Sequence, residues 1–142
     1  MLYTPMTKKA LRLCCRAHRE QVDKSGLPYA LHPLHLAEQM QTEDTIITAL
    51  LHDVVEDTAW TLEELKAEGF SQAVLEALAL LTHDPSLPYL DYVARIKENP
   101  IARQFKLADL RHNRDLSRLD FVTARDLARA EKYDAAIALL TK

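Results

Sequence analysis

Residues 45–57 read TIITALLHDVVED, and this stretch decides the fold because an almost wholly apolar segment ends in four ionisable side chains. Apolar residues nearly encircle the helix that this stretch predicts, so we expect it to be the central buried helix. With His52 at 0° on a helical wheel, Glu56 lies at about 40°, Asp53 at about 100° and Asp57 at about 140°. The four polar groups therefore share one arc of a buried helix.

This arc of three carboxylates and one imidazole predicts a metal site. Carboxylates that crowd together away from water repel one another and lose hydration energy, unless a cation neutralises them. Further ligands must come from other parts of the chain. His32 precedes Pro33 at a predicted helix start, and Asp109 lies in the stretch KLADLRHN, where Lys106, Asp109 and Asn113 share one helix face.

The predicted ligand set combines two imidazoles with two carboxylates, from His32, His52, Asp53 and Asp109. Such a mixed set suits one divalent ion, Mn²⁺, Fe²⁺, Zn²⁺ or, less well, Mg²⁺. An octahedral ion with four protein ligands keeps positions for water and substrate. Since the ion lowers the pKa of its water, attack on a phosphorus atom is the chemistry that this site predicts.

The rest of the chain predicts helices as well. No segment alternates apolar and polar residues long enough for a strand, so the fold class is all-α. The predicted helices cover about residues 5–24, 32–41, 45–55, 61–68, 71–81, 88–98, 100–116 and 123–140. We expect one compact bundle of seven to eight helices, with residues 1–142 forming a single domain.

The overall composition excludes some classes of function. The chain has 142 residues, 48% of them hydrophobic, and a net charge of −3. That balance argues against a dedicated nucleic-acid binder. The sequence shows neither a secretory signal nor an apolar run long enough for a membrane, and its two cysteines, Cys14 and Cys15, are neighbours on a predicted helix. We therefore expect a cytoplasmic protein without a disulfide, whose cysteines pack within the helix.

The spacing of these motifs resembles the HD superfamily. The motifs are HP at 32–33, HDxxEDT at 52–58, and KLAD at 106–109 followed by Asn113. More narrowly, the arrangement is similar to the hydrolase domain of RelA/SpoT homologues, which remove pyrophosphate from the 3′ position of ppGpp and pppGpp. The resemblance covers about residues 17–118 and implies an HD-type fold and a small-molecule nucleotide substrate, as in the stand-alone small alarmone hydrolases of the stringent response.

The same resemblance implies a role for each site residue. A single Mn²⁺ would be bound by His32, His52, Asp53 and Asp109. A water would be held and activated by Glu56 and Asp57. The nucleotide would be contacted by Lys24, Ser25, Lys106 and Asn113.

One departure from the family pattern concerns the substrate. The family reads Arg-Lys-Ser-Gly-Glu-Pro-Tyr before the first metal histidine, whereas residues 23–29 here read DKSGLPY. Asp23 replaces the arginine that would stack on guanine, and a carboxylate cannot make that cation–π contact. Two alternatives therefore stand beside the alarmone hydrolase. One is a nucleotide or nucleoside-monophosphate phosphohydrolase without guanine selectivity, and the other is a metal-stabilised nucleotide-binding module without turnover.

Three other features have simpler structural interpretations. His83-Asp84 is a second His-Asp pair, but Pro85 follows it at once, so it is interpreted as a helix-end cap. His18 is expected to be a packed, hydrogen-bonded histidine. The arginines of the seventh predicted helix either form a solvated face or bind phosphate, and the sequence favours neither; they are Arg103, Arg111, Arg114 and Arg118.

Overall fold

A computed structural model describes residues 1–142, with every side chain except that of Arg118. The described part of the chain contains eight α-helices: α1 (Pro5–Ala17), α2 (Leu31–Glu38), α3 (Glu43–Asp57), α4 (Leu62–Ala67), α5 (Gln72–Leu81), α6 (Tyr89–Lys97), α7 (Pro100–Arg114) and α8 (Ala124–Thr141). A short 3₁₀ turn, Leu116–Arg118, separates α7 from α8. None of the helices described here is both long and apolar enough to cross a membrane.

Helix α3 is the centre of the bundle. Every residue from Thr45 to Val54 is buried, and α3 packs against α1, α2, α5 and α7. Helix α8 closes the other side by packing on α6 and α7. The largest fully buried apolar side chains come from seven of the eight helices and are Leu36, Ile46, Leu50, Leu51, Leu65, Leu78, Leu81, Ile96, Phe105, Leu110 and Leu140. The all-α class and the central place of the 45–57 segment are both confirmed.

Short polar side chains begin most of these helices. Thr4, Thr42, Thr61 and Thr123 each form a capping box with the residue three positions later. Such a box satisfies amide groups that the first turn of a helix leaves without partners. At the other end of α4, Gly69 has a φ of +95°, a value that glycine adopts without steric cost. The predicted boundaries of α4 and α5 therefore hold.

The first predicted helix is too long, because α1 ends at Ala17 rather than near residue 24. The chain instead turns sharply between Val22 and Pro28, which form an isolated antiparallel bridge. Within this turn the amide of Asp23 donates to the carbonyl of Leu27 at 2.8 Å, and Gly26 has a φ of +79°. The side chain of Asp23 bonds the backbone of its own loop, and Gly26 adopts a left-handed conformation. Both favour a turn over a continued helix in this segment.

Three other helices differ from their predicted boundaries by a few residues. Helix α2 covers Leu31–Glu38 rather than 32–41, and α3 begins at Glu43 because Thr42 is its cap. Helix α7 ends at Arg114 rather than near residue 116, because the side chain of Asp115 accepts the amide of Ser117 and starts the 3₁₀ turn. These differences leave the predicted faces of the helices unchanged.

Candidate metal centre and adjoining cleft

The last two turns of α3 bring three donor side chains together. Ligand atoms of His52, Asp53 and Glu56 all lie within 4.8 Å of one another. Nδ1 of His52 is 3.2 Å from Oδ1 of Asp53, and Nε2 of His52 is 3.3 Å from Oε2 of Glu56. The imidazole and Asp53 are buried, whereas Glu56 is exposed. Three of the four side chains on the predicted arc therefore form a cluster, which does not include Asp57.

Helices α2 and α7 bring the other two predicted ligands to this cluster. His32 lies in the first turn of α2, and its Nε2 is 3.8 Å from Oδ2 of Asp53. The same nitrogen is 3.9 Å from Oδ1 of Asp109, a buried residue of α7. Three separate helices thus converge on the space between His32, His52, Asp53 and Asp109.

The protonation of the α3 pair reflects this crowding. Burial alone would lower the pKa of His52, but the hydrogen bond and charge of Asp53, together with the charges of Glu56 and Asp109, raise it overall. Burial would likewise raise the pKa of Asp53, yet His52, His32 and the hydroxyl of Tyr29 lower it. The carboxylate of Asp53 therefore stays ionised, and positive charge beside it stabilises that form.

These residues fit a divalent metal ion. The four side chains offer two imidazoles and two carboxylates, a donor set that first-row divalent ions accept. The buried Nε2 of His52 has no hydrogen-bond partner among the residues that the structure describes, although Glu56 lies close to it. A buried polar atom without a partner costs free energy, and a metal ion bound to this nitrogen would remove that cost.

Two more side chains of α7 contact Asp109. Nζ of Lys106 is 3.4 Å from Oδ2 of Asp109, and Nδ2 of Asn113 donates to Oδ1 at 3.2 Å. Lys106 is buried and also lies 5.5 Å from the centre of the Tyr92 ring. Its contacts orient Asp109, so its role as a substrate-binding residue stays a prediction.

Tyr29 connects the centre to the loop before α2, and sequence reasoning assigned it no role. Its hydroxyl donates to Oδ2 of Asp53 at 3.0 Å and to Oδ2 of Asp57 at 3.4 Å. Burial raises the pKa of Tyr29, and the charges and hydrogen bonds of both carboxylates raise it further. A tyrosine within the DKSGLPY segment carries no periodic signal that would have indicated this contact.

A cleft of about 540 Å³ adjoins the centre and gathers three of the predicted substrate-binding residues, Lys24, Ser25 and Asn113. Asn113 belongs to both places, because it lines the cleft and also donates to Asp109. The opposite wall comes from α8, which contributes Arg129 and Tyr133. Sequence reasoning missed these two residues, since nothing in the chain indicates which face of a terminal helix meets a distant loop.

The turn that carries Lys24 and Ser25 is fixed by Asp23. Oδ1 of Asp23 accepts the amide of Ser25 at 2.8 Å and the amide of Leu27 at 3.0 Å. These bonds make the carboxylate part of the loop, in the place where the family resemblance predicts an arginine. Asp23 also lines the cleft, so a charge of opposite sign stands at this wall.

The simpler interpretations of the other motifs agree with the structure. Asp84 accepts the amide and hydroxyl of Ser86, both at 2.9 Å, and so caps the turn after α5. His18 is buried and lies 2.7 Å from Oε1 of Gln21. Arg114 pairs with Asp134 at 2.7 Å, as a solvated face would, while the side chain of Arg118 lies outside the described residues.

Comparisons with known proteins point to one family. A family model described as an HD domain matches residues 10–105, a range that contains His32, His52 and Asp53 and ends before Asp109. Human MESH1, named a guanosine-3′,5′-bis(diphosphate) 3′-pyrophosphohydrolase, is 36% identical over 124 residues, which is 78% of this chain and 69% of MESH1. The enzyme of that name from Aquifex aeolicus is 40% identical over 86 residues, 58% of this chain, but only 12% of the length of the bacterial protein is covered.

A solved structure agrees over nearly the whole chain. It is described as a metazoan ortholog of SpoT that hydrolyses ppGpp and plays a role in starvation responses. The two structures superimpose with a TM-score of 0.70 at 26% sequence identity, covering 99% of this chain and 85% of the other.

Proposed function

This chain belongs to the HD domain family, and from that premise we propose that it is a metal-dependent hydrolase that removes the 3′-diphosphate from guanosine-3′,5′-bis(diphosphate) or a related nucleotide. The observation that carries the proposal is the convergence of His32, His52, Asp53 and Asp109 from three helices beside a cleft that Lys24 lines. Similarity to human MESH1 over most of the chain supports the choice of substrate.

In this proposal His32, His52, Asp53 and Asp109 hold one divalent ion, with Mn²⁺ as the ion we expect. The ion supplies Lewis-acid chemistry, because it polarises a phosphoryl oxygen and lowers the pKa of water. Lys106 and Asn113 orient the two oxygens of Asp109, and the hydroxyl of Tyr29 orients Asp53. Such partners around the ligands fix their direction before an ion arrives.

Glu56 and Asp57 serve the attacking water. Glu56 is exposed beside His52, with its Oε2 3.3 Å from Nε2 of the imidazole. Asp57 is also exposed, and its Oδ2 accepts the weak 3.4 Å hydrogen bond from Tyr29. Two carboxylates at the open end of α3 can accept the proton of a water and hold it in line with the phosphorus.

The cleft holds the nucleotide. Beside three carboxylates that line the same cleft, the ammonium group of Lys24 and the guanidinium group of Arg129 are the positive charges available to phosphate groups, and the hydroxyl of Ser25 can supply a hydrogen bond. Asn113 joins this cleft to Asp109, so a nucleotide bound there presents one ester to the metal centre. The ring of Tyr133 gives the same cleft an aromatic wall.

A second candidate function is a nucleotide phosphohydrolase that does not select guanine. The observation in its favour is Asp23, whose carboxylate is bonded to its own loop and cannot replace a stacking arginine. The chemistry at phosphorus is the same in both cases. The two candidates differ in the contact made with the base and in the group released, which is pyrophosphate in the first and phosphate in the second.

The test is hydrolysis of ppGpp by the purified protein with Mn²⁺, beside a panel of ordinary nucleotides. Asp53→Asn should lower the rate by about 100-fold or more, because it removes a charged donor from the centre. Asp84→Asn is the matched control, since it alters the second His-Asp pair of the chain and should leave the rate unchanged.

Each outcome of this test decides between the candidates. Pyrophosphate release from ppGpp that Asp53→Asn abolishes supports the alarmone hydrolase. Release of phosphate from several nucleotides without preference for guanine overturns that substrate and supports the second candidate. Binding of Mn²⁺ with no turnover of any nucleotide overturns both enzymes and leaves a metal-stabilised binding module.

A further inference from the structure

A second cleft, of about 370 Å³, is lined by residues that take no part in the metal centre. They are Lys9, Arg12, Leu13, Arg16, Trp60 and Glu68. Helix α1 supplies one wall, Trp60 comes from the loop after α3, and Glu68 is the C-cap residue that follows α4. The volume falls within the range of small-ligand pockets, which begins at about 300 Å³.

Charge in this cleft is unbalanced. Nζ of Lys9 lies 3.0 Å from Oε2 of Glu68, so these two residues offset each other. Arg12 and Arg16 are exposed and one helical turn apart on α1, which places them on the same face. Neither arginine has an acidic partner among the described side chains. Two guanidinium groups therefore face one opening with no carboxylate left to neutralise them.

The other walls of the cleft are apolar and aromatic. Leu13 is buried beneath it, and Trp60 is partly exposed. The backbone of Trp60 is anchored, because its amide donates to Oγ1 of Thr58 at 3.2 Å and that hydroxyl donates to the carbonyl of Val54 in α3. The indole side chain lines the cleft and offers an aromatic surface on which a planar ring can stack.

We propose that this cleft is a binding site for a nucleoside polyphosphate, separate from the substrate cleft, in which Arg12 and Arg16 hold the phosphate chain and Trp60 stacks on the base. Guanidinium groups bind phosphate oxygens in a bidentate manner, and a planar base gains contact area on an indole. This combination of two unpaired arginines and one indole suits an anionic ligand with an aromatic ring better than either inorganic phosphate or a nucleoside alone.

The chain carries its own reporter for this site, because Trp60 is its only tryptophan. The experiment follows tryptophan fluorescence of the full chain while GTP is added, with a chelator present so that no metal-dependent hydrolysis occurs. Inorganic triphosphate and guanosine are titrated separately. We expect saturable quenching by GTP, with at least about tenfold weaker binding for each of the other two ligands.

Matched variants locate the binding. Arg12→Gln and Arg16→Gln should each weaken the GTP response by about tenfold, since each removes a charged hydrogen-bond donor. Lys8→Gln removes one positive charge from the exposed side of the same helix, outside this cleft, and should leave the response unchanged. Lys24→Gln alters the substrate cleft and should also leave it unchanged. Circular dichroism checks that every variant keeps its helices.

Four results would overturn the proposal. A response that Lys24→Gln abolishes and Arg12→Gln spares would place the ligand in the substrate cleft. If Lys8→Gln weakened the GTP response as much as the arginine variants do, the response would reflect the overall positive charge of α1 rather than a site in this cleft. Inorganic triphosphate binding as tightly as GTP would remove the stacking role of Trp60. Absence of quenching, together with no GTP bound in equilibrium dialysis, would exclude the site. None of these results depends on whether the chain hydrolyses ppGpp.

Discussion

Asp23 stands where the family resemblance predicts a stacking arginine, and its carboxylate bonds the loop that carries Lys24 and Ser25. The bonds from its Oδ1 to the amides of Ser25 and Leu27 close that turn. A side chain that fixes a binding loop affects how tightly the substrate is held more than how fast the bound substrate reacts.

Removing this carboxylate should therefore weaken substrate binding. We expect Asp23→Ala to raise KM for the nucleotide by about three- to tenfold, because two hydrogen bonds of about 1 kcal/mol each hold the loop. The value of kcat should change little. Asp23→Asn keeps an acceptor oxygen in the same place and should restore KM. Steady-state kinetics of the two variants check this prediction, and a fall in kcat at constant KM would contradict it.

The adjacent cysteines differ in their surroundings. Cys14 is buried, whereas Cys15 is exposed. Burial raises the pKa of the Cys14 thiol from 9.0 to about 12, and the charges of Cys15 and Asp53 add to the shift. Since the thiolate is the reactive form, a thiol reagent should label one cysteine in the native protein and two in denaturant. Cys15→Ala should leave no rapidly labelled thiol, and equal labelling of both would contradict this assignment.

The same shift predicts how stability depends on pH. Because the folded-state pKa of Cys14 lies above its unfolded value, its contribution to stability is fully present below pH 9.0 and is lost as pH rises toward about 12. Above pH 9.0 the unfolded chain ionises this thiol and the folded chain does not. Denaturant titrations from pH 8 upward should show this loss in the native sequence and in Cys15→Ala. The loss should be smaller in Cys14→Ala, and an unchanged slope there would contradict the prediction.

At the scale of elements, α3 combines the core of the bundle with half of the predicted ligands. Leu50 is fully buried in it, while Leu90 at the start of α6 is 48% exposed. Leu50→Ala should lower the free energy of unfolding by about 2–5 kcal/mol, because the cavity cannot collapse within a packed helix. Leu90→Ala deletes the same atoms at the surface and should cost about 0.5 kcal/mol or less. Similar losses for both variants would contradict the central place of α3.

The elements that the sequence predicts well are those whose signal is local. Helix α3 and its arc of His52, Asp53 and Glu56 follow from residue type and a helical period alone, and the caps of α4 and α5 follow from Thr61 and Ser71. Contacts between distant segments leave no such signal. The hydroxyl of Tyr29 bonds Asp53 across 24 positions, and Lys24 lines one cleft with Arg129 and Tyr133 of α8.

Competition between local structures explains the remaining error. Residues 18–24 read HREQVDK and contain no proline or glycine that would end a helix, but the side chain of Asp23 and the left-handed Gly26 offer the backbone a turn instead. Helical periodicity does not predict this turn, because hydrogen bonds between Asp23 and Leu27 stabilise it rather than the burial of apolar side chains. Residues 23–29 also differ from the motif of the family that the sequence resembles, so that motif did not predict the conformation of this loop.

At the scale of the whole molecule, the predicted ligands come from three helices, and three further helices separate α7 from α2 and α3 in the sequence. His32 belongs to α2, His52 to α3 and Asp109 to α7, so an ion bound by all three would be lost when the bundle unfolds. A ligand that binds only the folded state stabilises it by mass action. Metal occupancy and global stability should therefore be coupled in this protein.

Thermal unfolding with and without Mn²⁺ measures that coupling. At an ion concentration of about 100 times Kd, the folded state should gain about 2.7 kcal/mol. For a domain of this size we expect Tm to rise by about 5–10 °C, and a chelator should reverse the rise. His52→Ala should abolish the metal-dependent rise, because the orphaned buried nitrogen is a donor to the ion in this account. His83→Ala removes the histidine of the second His-Asp pair and should keep the full rise. If His52→Ala keeps it as well, the ion binds elsewhere and the three helices are not joined by it.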